Sequence, residues 1–261
     1  MLPHTPDDLA TTTDQVPTDR TPMTDLPNLR DYDAVLFDLD GVLTPTADIH
    51  MHAWRMMFSA LFVEHGVAPY TDVDYFTYLD GKIRYEGVAG LLASRGIDVP
   101  WGDPVDPPSA DTICGIGNRK NDVFSVVLEK DGIAPYPGSL ALVNKLEEHR
   151  MPMAIVSSSK NAERVLNVAH LRARFSVVVD GVVAAREGLG SKPAPDMFLF
   201  AARAIGVDPA RAVVFEDAIS GVAAARAGAF ALVIGVDRGT GEEALRAHGA
   251  DLVIDDLAAF V

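Results

Sequence analysis

The sequence contains a single cysteine, Cys114, in 261 residues. A lone thiol cannot form an internal disulfide and offers no second sulfur for a metal site, which argues against zinc or redox chemistry. We assign Cys114 to packing.

Basic residues are also scarce, since 22 Lys and Arg stand against 37 Asp and Glu, for a formal net charge of −15. Binding to a polyphosphate backbone relies on a broad basic surface, so the composition argues against nucleic acid as a partner. A small anionic substrate needs only a local cluster of cations and amides and stays open.

Long apolar runs are missing as well. No run approaches the roughly 18 to 20 residues that span a bilayer, and the first thirty residues lack the basic-then-apolar order of a secretory signal. We therefore expect a protein without membrane contact that is located in the cytoplasm. The hydrophobic content of 48% is enough for one large core, or for a core and a smaller appendage.

The chain divides into a tail, a first strand and a helical insertion. Residues 1–30 are rich in Pro, Thr and Asp and bury little apolar surface, so we predict a disordered tail. The short apolar run AVLF then leads into DLDG, which predicts a buried strand with Asp38 and Asp40 at its carboxyl end. Helices are expected at 47–65, 84–95 and 111–130. We assign residues 47–130 to an inserted α-helical domain, called the cap below.

From residue 139 onward, apolar strands such as MAIV, AVVFED and FALVIGV alternate with helical segments. This alternation implies crossover connections and a parallel sheet that is covered on both faces. The predicted fold is therefore α/β, with a doubly wound parallel sheet formed by residues 31–46 and 131–261 and interrupted by the cap. Ligands of such sheets bind at the carboxyl ends of the strands.

Asp38 and Asp40 form a carboxylate pair just past the first hydrophobic strand. In a continuing strand both side chains would share a face, where their repulsion favours a bound cation. One carboxylate could then coordinate magnesium and attack phosphorus, while the other moves protons on a substrate hydroxyl. The alternative is a plain strand-ending turn, since Asp and Gly favour turns for conformational reasons.

Three further polar groups follow later strands. Ser157 opens the string SSSKN after MAIV, where hydroxyls and amides can hold a phosphate, although Ser and Asn are also ordinary helix caps. Lys192 precedes a helix that starts with proline, a place where surface lysines are common. Glu216 and Asp217 end an apolar strand and suit an oxygen-only magnesium shell, although Asp217 could instead cap the next helix.

These groups stand in the order found in the haloacid dehalogenase superfamily, which the chain resembles after residue 30. The resemblance implies a Rossmannoid core, Mg²⁺ as cofactor and an aspartyl-phosphate intermediate. It also implies that Asp38 is the nucleophile, Asp40 the general acid and base, Lys192 the charge-neutralising lysine and Ser157 the phosphate-contacting hydroxyl. The metal-binding residues would be Asp38, Asp40, Glu216 and Asp217.

Within that superfamily, the cap and loops are most similar to those of the β-phosphoglucomutase group. The matching strings are TADIH, GKIR, RKND, SSSKN and SKPAPD. The likeness implies that His50 hydrogen-bonds in the region of Asp40, the acid and base residue. It also implies that Arg84 binds a distal phosphate together with Ser159 and Asn161. The full set of expected substrate-binding residues is His50, Trp54, Gly81, Arg84, Lys120, Asn121, Ser158, Ser159, Lys160 and Asn161.

Some cap residues have simpler alternative roles, and two features depart from the group's pattern. Trp54 could serve packing, and Arg84 and Lys120 could be solvated charges on helices. Pro45 stands where many relatives have aspartate, so we expect a missing hydrogen bond and a stiffer cap hinge. An insertion at residues 101–109 lengthens the cap and could change access to the pocket.

The expected activity is magnesium-dependent phosphoryl transfer on a small phosphorylated sugar by a monomeric enzyme. If Asp40 activates a second sugar hydroxyl, the enzyme is a mutase that interconverts β-glucose 1-phosphate and glucose 6-phosphate. If Asp40 activates water, the enzyme is a sugar-phosphate phosphatase, a hydrolase. A non-catalytic binding module for sugar phosphates is a third possibility, against which the retention of all four acidic core residues argues.

Overall fold

The computed structural model describes residues 26–261, apart from the side chains at 127, 129 and 131. Most of the predicted tail, residues 1–30, lies outside the described residues. Its last part does not, because Leu29 is buried and begins a short 3₁₀ helix, Leu29–Asp31. Leu29 also belongs to the core hydrophobic cluster, so the segment just before residue 31 packs against the core. A single buried leucine is too small a signal for hydrophobic patterning to detect.

A six-stranded parallel sheet forms the centre of the core. Its strands are β1 (Ala34–Phe37), β2 (Met153–Val156), β3 (Val177–Val179), β4 (Ala212–Glu216), β5 (Leu232–Val236) and β6 (Leu252–Ile254). They lie in the order β3-β2-β1-β4-β5-β6, so the direction of winding reverses between β1 and β4. The carboxyl ends of strands at such a reversal form the crevice in which doubly wound folds bind ligands.

The central strands are apolar on both faces because helices cover both sides of the sheet. Alternate residues of β1 enter two separate hydrophobic clusters. Phe37 in β1 is paired in register with Phe215 in β4, and their rings stack with centroids 5.3 Å apart. Asp38 follows Phe37 and Glu216 follows Phe215. This register therefore brings Asp38 beside Glu216.

Helices connect the strands and build the insertion. Their bounds are α1 (Thr46–Glu64), α2 (Asp72–Asp74, continued by a π-helical turn over Tyr75–Leu79), α3 (Arg84–Ser94), α4 (Ile113–Asp131), α5 (Pro137–Glu148), α6 (Ala162–Val168), α7 (Gly181–Glu187), α8 (Asp196–Ala204), α9 (Ile219–Ala227) and α10 (Glu242–Ala247). The three predicted cap helices are confirmed as α1, α3 and α4. We did not predict α2 with its π-helical turn, α7 or α10, because segments this short carry little periodicity.

The cap helices α1 to α4 share a hydrophobic cluster of their own, in which Phe58 and Phe62 take part. Cys114 is fully buried there, as expected. Helix α4 also contacts the core, because Phe124 and Leu128 belong to the core cluster instead. In the part of the chain that the structure describes, no helix combines the length and hydropathy that crossing a bilayer would take.

Candidate active site

The acidic residues of the predicted core site follow the two strands between which the sheet order reverses. Asp38 directly follows β1, Glu216 ends β4 and Asp217 comes next. The Asp38 backbone N–H donates to the Phe215 carbonyl at 2.9 Å, which extends the ladder between β1 and β4 by one residue. Helix α9 begins after Ala218 without a side-chain cap. Asp217 is therefore not the helix cap that we considered as an alternative.

Lys192 is fully buried, so it is not a solvated surface lysine. Its ammonium donates to Asp38 Oδ1 at 2.6 Å, to Glu216 Oε2 at 2.8 Å and to the Val156 carbonyl at 3.2 Å. Burial by itself would lower the pKa of Lys192, but the carboxylates of Asp38 and Glu216 outweigh it and raise that pKa. Lys192 therefore stays charged and joins the ends of β1, β2 and β4.

Asp38, Glu216 and Asp217 form a cluster in which one oxygen of each lies within 4.8 Å of the others. Burial and the neighbouring Asp38 raise the pKa of Glu216 to about 8, against the lowering effect of Lys192. Burial and the charges of Asp80 and Asp38 raise the pKa of Asp217 well above its usual value. Three carboxylates thus face one ammonium. Hard oxygen ligands with excess negative charge fit a hard divalent cation, which would lower these pKa values.

Hydroxyl groups hold the carboxylate of Asp40. Ser157 Oγ donates to Asp40 Oδ2 at 3.1 Å, the Thr46 hydroxyl donates to Oδ1, and Thr46 Oγ1 lies 2.8 Å from Thr44 Oγ1. We expected Asp40 among the metal ligands; among the described residues, the carboxylate oxygens that cluster with Asp38 come from Glu216 and Asp217 and not from the Asp40 side chain, so a ligand role of Asp40 stays a prediction. Burial, followed by the charge of Asp38, raises the pKa of Asp40 to about 6. Such a group can give and take a proton near neutral pH.

Gly41 allows the chain to turn immediately after Asp40. Its φ is +86°, and a Cβ at this position would lie 1.8 Å from Asp217 Oδ2. Only glycine combines this backbone conformation with such a close approach. The turn therefore brings the loop after β1 against the carboxylate after β4, which a plain strand-ending turn would not require.

The cap places His50 beside Asp40, but without the expected hydrogen bond. His50 Nε2 lies 3.6 Å from Asp40 Oδ1, which exceeds hydrogen-bond length, whereas Nδ1 contacts the Lys120 ammonium. Burial and the cations of Lys120 and Arg84 hold the pKa of His50 well below its usual value, so the ring is neutral. Lys120 is only 2% exposed, which excludes a solvated lysine, and its Nζ lies 4.9 Å from the ring centroid of Trp54.

A second polar group forms where the cap meets the loop after β2. Arg84 Nη2 and Asn161 Nδ2 both donate to Asn121 Oδ1 at 2.7 Å. One amide oxygen therefore joins helices α3 and α4 of the cap to the core. Asn161 does not cap α6 with its side chain, and its backbone N–H donates to Ser159 Oγ at 3.1 Å.

One cavity between cap and core brings the predicted residues together. Ser158 Oγ donates to the Gly81 carbonyl at 2.7 Å and so holds the cap loop against the core. All the predicted site residues line this cavity except Ser157, Asn121, Asn161 and Lys192. Those four lie behind the lining and hydrogen-bond to groups that belong to it.

Comparison with known proteins agrees with this geometry. A family model described as haloacid dehalogenase-like hydrolase matches residues 32–228. The chain belongs to this family.

Two curated relatives and one solved structure illustrate the range of this haloacid dehalogenase-like family. A β-phosphoglucomutase of Mycobacterium tuberculosis (strain CDC 1551 / Oshkosh) is 47% identical over 236 residues, which cover 86% of this chain and 90% of the relative. Fructose-1-phosphate phosphatase YqaB of Escherichia coli (strain K12) is 31% identical over 196 residues, which cover 75% of this chain and 92% of the relative. The crystal structure of a β-phosphoglucomutase from Clostridium difficile has a TM-score of 0.72 at 25% identity and covers 88% of this chain and 93% of its own.

The two departures from the family pattern have identifiable structural consequences. Pro45 precedes α1 without a side-chain cap bond, and the next residue, Thr46, contacts Asp40. The insertion at 101–109 lies against α4, where Asn118 Nδ2 donates to backbone carbonyls of the insertion at 3.1 and 2.9 Å. None of residues 101–109, all of which the structure describes, lines the cavity. The insertion therefore braces the cap and does not form the pocket wall.

Residues that we did not predict also belong to the site, and three of them carry polar side chains of interest. Thr46 contacts Asp40, and Tyr75 and Asp80 line the cavity. Thr46 lies one helical turn before His50 in the string TADIH, and this spacing was a usable signal. Asp80 directly precedes the string GKIR. Tyr75 had no signal, because it lies in a π-helical turn without a recognisable pattern.

Gly41→Ala should remove tight Mg²⁺ binding, because the added methyl displaces the Asp217 carboxylate. Gly66→Ala is the matched control, since Gly66 also has a positive φ of +64° but a Cβ there would meet nothing within 4 Å. The control should lose about 1 to 2 kcal/mol of unfolding free energy through backbone strain and keep its Mg²⁺ affinity. Titration calorimetry gives the affinities, and circular dichroism checks folding. Equal Mg²⁺ affinities in the two variants would contradict this role of Gly41.

Proposed function

We propose that this chain is a magnesium-dependent β-phosphoglucomutase that works through an aspartyl-phosphate on Asp38. Its substrates are β-glucose 1-phosphate and glucose 6-phosphate. The observation that carries the proposal is a single cavity that is lined both by the acidic cluster around Asp38 and by Arg84 with Ser159 and Lys160. Two such groups suit the two phosphates of a sugar bisphosphate. The relative at 47% identity is named for the same activity.

Asp38, Glu216 and Asp217 would hold the Mg²⁺ ion. Carboxylate oxygens are the ligands that this ion prefers, and the excess of buried carboxylates over ammonium groups supports a divalent charge. When bound, Mg²⁺ would neutralise negative charge on the transferring phosphoryl group. The Asp40 carboxylate is left for proton transfer, since the hydroxyls of Ser157 and Thr46 hold it away from this cluster.

The core residues then divide the chemistry between them. A carboxylate oxygen of Asp38 forms a bond to phosphorus while the bond from phosphorus to the sugar oxygen breaks. Asp40 gives its proton to the departing sugar oxygen. In the second half, Asp40 takes a proton from the acceptor hydroxyl while that oxygen bonds to phosphorus and the bond from phosphorus to Asp38 breaks, which restores the Asp38 carboxylate. Burial and Asp38 set the pKa of Asp40 at about 6, so both protonation states are accessible. Lys192, 2.6 Å from Asp38, orients the nucleophile and offsets developing negative charge.

The seated cap favours a sugar hydroxyl over water as the acceptor. Core serines form three hydrogen bonds with the backbone of residues 80–83 of the cap. Arg84 offers a cationic partner to a remote phosphate, so a bound sugar can present its free hydroxyl near Asp38. Exclusion of water together with a grip on the remote phosphate separates a mutase from a hydrolase.

A sugar-phosphate phosphatase is the second candidate. The relative YqaB, which is 31% identical, is named as a fructose-1-phosphate phosphatase. The same core acids serve hydrolysis, with Asp40 activating water instead of a sugar hydroxyl. The two activities therefore differ in the acceptor and not in the nucleophile.

We further propose a cytoplasmic monomer with a core of residues 31–46 and 131–261 and a cap of residues 47–130. Separate hydrophobic clusters in the core and in the cap support this division. The predicted residues meet in one cavity of a single chain, so no second copy is needed to complete the site. The net charge of −15 supports a partner other than nucleic acid.

With β-glucose 1-phosphate, Mg²⁺ and a trace of β-glucose 1,6-bisphosphate, we expect glucose 6-phosphate to exceed free phosphate. A held sugar hydroxyl outcompetes water because it is already positioned. A coupled dehydrogenase assay measures glucose 6-phosphate, and a molybdate assay measures free phosphate. Dominant release of phosphate would replace the mutase with the phosphatase.

Arg84→Ala should reduce sugar-phosphate turnover strongly and hydrolysis of a small aryl phosphate little, because an aryl phosphate has no second anionic group. Arg55→Ala serves as the matched control, because Arg55 is an exposed cap arginine that pairs with Asp72. It should leave both reactions unchanged. Equal losses on both substrates in Arg84→Ala would count against a remote-phosphate grip.

Asp40→Asn should stop turnover of sugar phosphates but still allow phosphorylation of Asp38 by an aryl phosphate, since a good leaving group needs little protonation. Asp48→Asn, at an exposed position in the first turn of α1, is the control and should keep both activities. Rapid-quench assays with the two substrates separate the steps. If Asp40→Asn slows phosphorylation by both substrates to the same degree, Asp40 has a structural role and not a proton-transfer role.

A further inference from the structure

Asp80 is an acid in the cavity that has no part in the reaction described above. It lies between the π-helical turn and α3, in a segment of residues 80–83 that we call the cap loop. It lines the same cavity as Asp38 and Asp217, and its backbone N–H donates to the Tyr75 carbonyl at 2.9 Å. A carboxylate carried by the cap thus faces carboxylates carried by the core.

The cap loop is held tightly against the core. Ser220 Oγ donates to the Asp80 carbonyl at 3.0 Å, and Ser158 Oγ donates to the Gly81 carbonyl at 2.7 Å. Gly81 has a φ of +67°, and a Cβ there would lie 2.1 Å from Ser220 Oγ, so the contact leaves no room for a side chain. Whenever the loop is seated in this way, the position of Asp80 relative to the core acids is fixed.

Seating of the cap loop brings a further carboxylate to a cluster that already carries excess negative charge. Burial and then the charge of Asp38 raise the pKa of Asp80 to about 7. Among the charged neighbours of Asp217, Asp80 has the largest raising effect on its pKa. Tyr75 and Lys192 act in the opposite direction on Asp80, but the net shift remains upward. Without a cation, bringing these carboxyl groups together costs free energy, either as repulsion between charges or as the proton uptake that their raised pKa values describe.

We propose that Asp80 is a positioning residue that couples cation binding by the core acids to seating of the cap loop. The inference rests on the proposed Mg²⁺ site. A divalent cation cancels the excess negative charge that Asp80 faces and attracts its carboxylate, so the loop settles onto the core. By linkage, a seated loop tightens cation binding by the same factor. The cap then closes over a loaded site in preference to an empty one.

Hydrogen exchange in the cap loop measures seating independently of activity. The Ile83 N–H donates to Ser191 Oγ of the core at 3.4 Å, so its exchange rate reports the contact. In the unaltered chain, Mg²⁺ should slow exchange of residues 80–83 by about fivefold or more, the lower end of typical coupling between sites. In Asp80→Asn, exchange without metal should already be slow, and the effect of Mg²⁺ should fall below about twofold. Titration calorimetry should show a matching loss of Mg²⁺ affinity.

Two variants separate charge from structure. Asp98→Asn removes the same charge from an exposed cap position and should respond to Mg²⁺ like the unaltered chain. Ser220→Ala removes a hydrogen bond to the loop without a change of charge. It should speed exchange both with and without Mg²⁺ and keep the Mg²⁺ effect.

The outcomes distinguish this proposal from the proposed function. If Mg²⁺ binds to Asp80→Asn and slows exchange of the loop as much as in the unaltered chain, the role of Asp80 is wrong and the metal site stands. If calorimetry detects no Mg²⁺ binding to the unaltered chain, the metal site and the role of Asp80 both fall.

Discussion

The ion pairs of buried Lys192 with Asp38 and Glu216 hold the site together. The ammonium lies 2.6 Å from one carboxylate and 2.8 Å from the other, and each partner comes from a different part of the chain. Removal of one partner from a buried ion pair leaves an uncompensated charge and typically costs about 3 to 5 kcal/mol. One lysine does not balance three carboxylates, and this imbalance is the physical argument for the divalent cation that we propose there. The ion pair with Lys192 also holds Asp38, the proposed nucleophile, in place at the end of β1.

Several contacts connect the cap to the groups around this charged centre. Thr46, which begins α1 and directly precedes the cap, contacts the carboxylate of Asp40, so the position of α1 affects the proposed proton-transfer group. Asn121 joins Arg84 of the cap to Asn161 of the core. The position of the cap therefore also affects Arg84, the group that we propose for binding a remote phosphate. In the mechanism that we propose, the core acids serve transfer to either acceptor and the cap selects the acceptor. Such a division would account for both a β-phosphoglucomutase and a phosphatase among the relatives of this chain.

Much of the core site could be predicted from the sequence, because the carboxyl ends of parallel strands converge wherever a doubly wound sheet forms. Asp38 and Glu216 needed only their places at the ends of apolar strands, whereas Lys192 follows α7 and was assigned through the family resemblance. The contacts of the cap were harder. His50 was correctly placed near Asp40, but its hydrogen bond goes to Lys120, a choice that depends on side-chain rotamers and protonation. Asp80 belongs to no motif. Its proposed role depends on the seating of the cap loop, which places it in the same cavity as acids that are distant in sequence.

Chemical trapping of the phosphorylated residue tests most directly whether Asp38 is the nucleophile. The enzyme is mixed with Mg²⁺ and β-glucose 1,6-bisphosphate, quenched rapidly and treated with borohydride, which reduces an acyl phosphate to an alcohol. Peptide mass spectrometry then locates the reduced side chain. We predict reduction at Asp38 and at no other carboxylate, and none in Asp38→Asn. Reduction at a different residue, or formation of glucose 6-phosphate by Asp38→Asn at the rate of the unaltered enzyme, would contradict the aspartyl-phosphate mechanism.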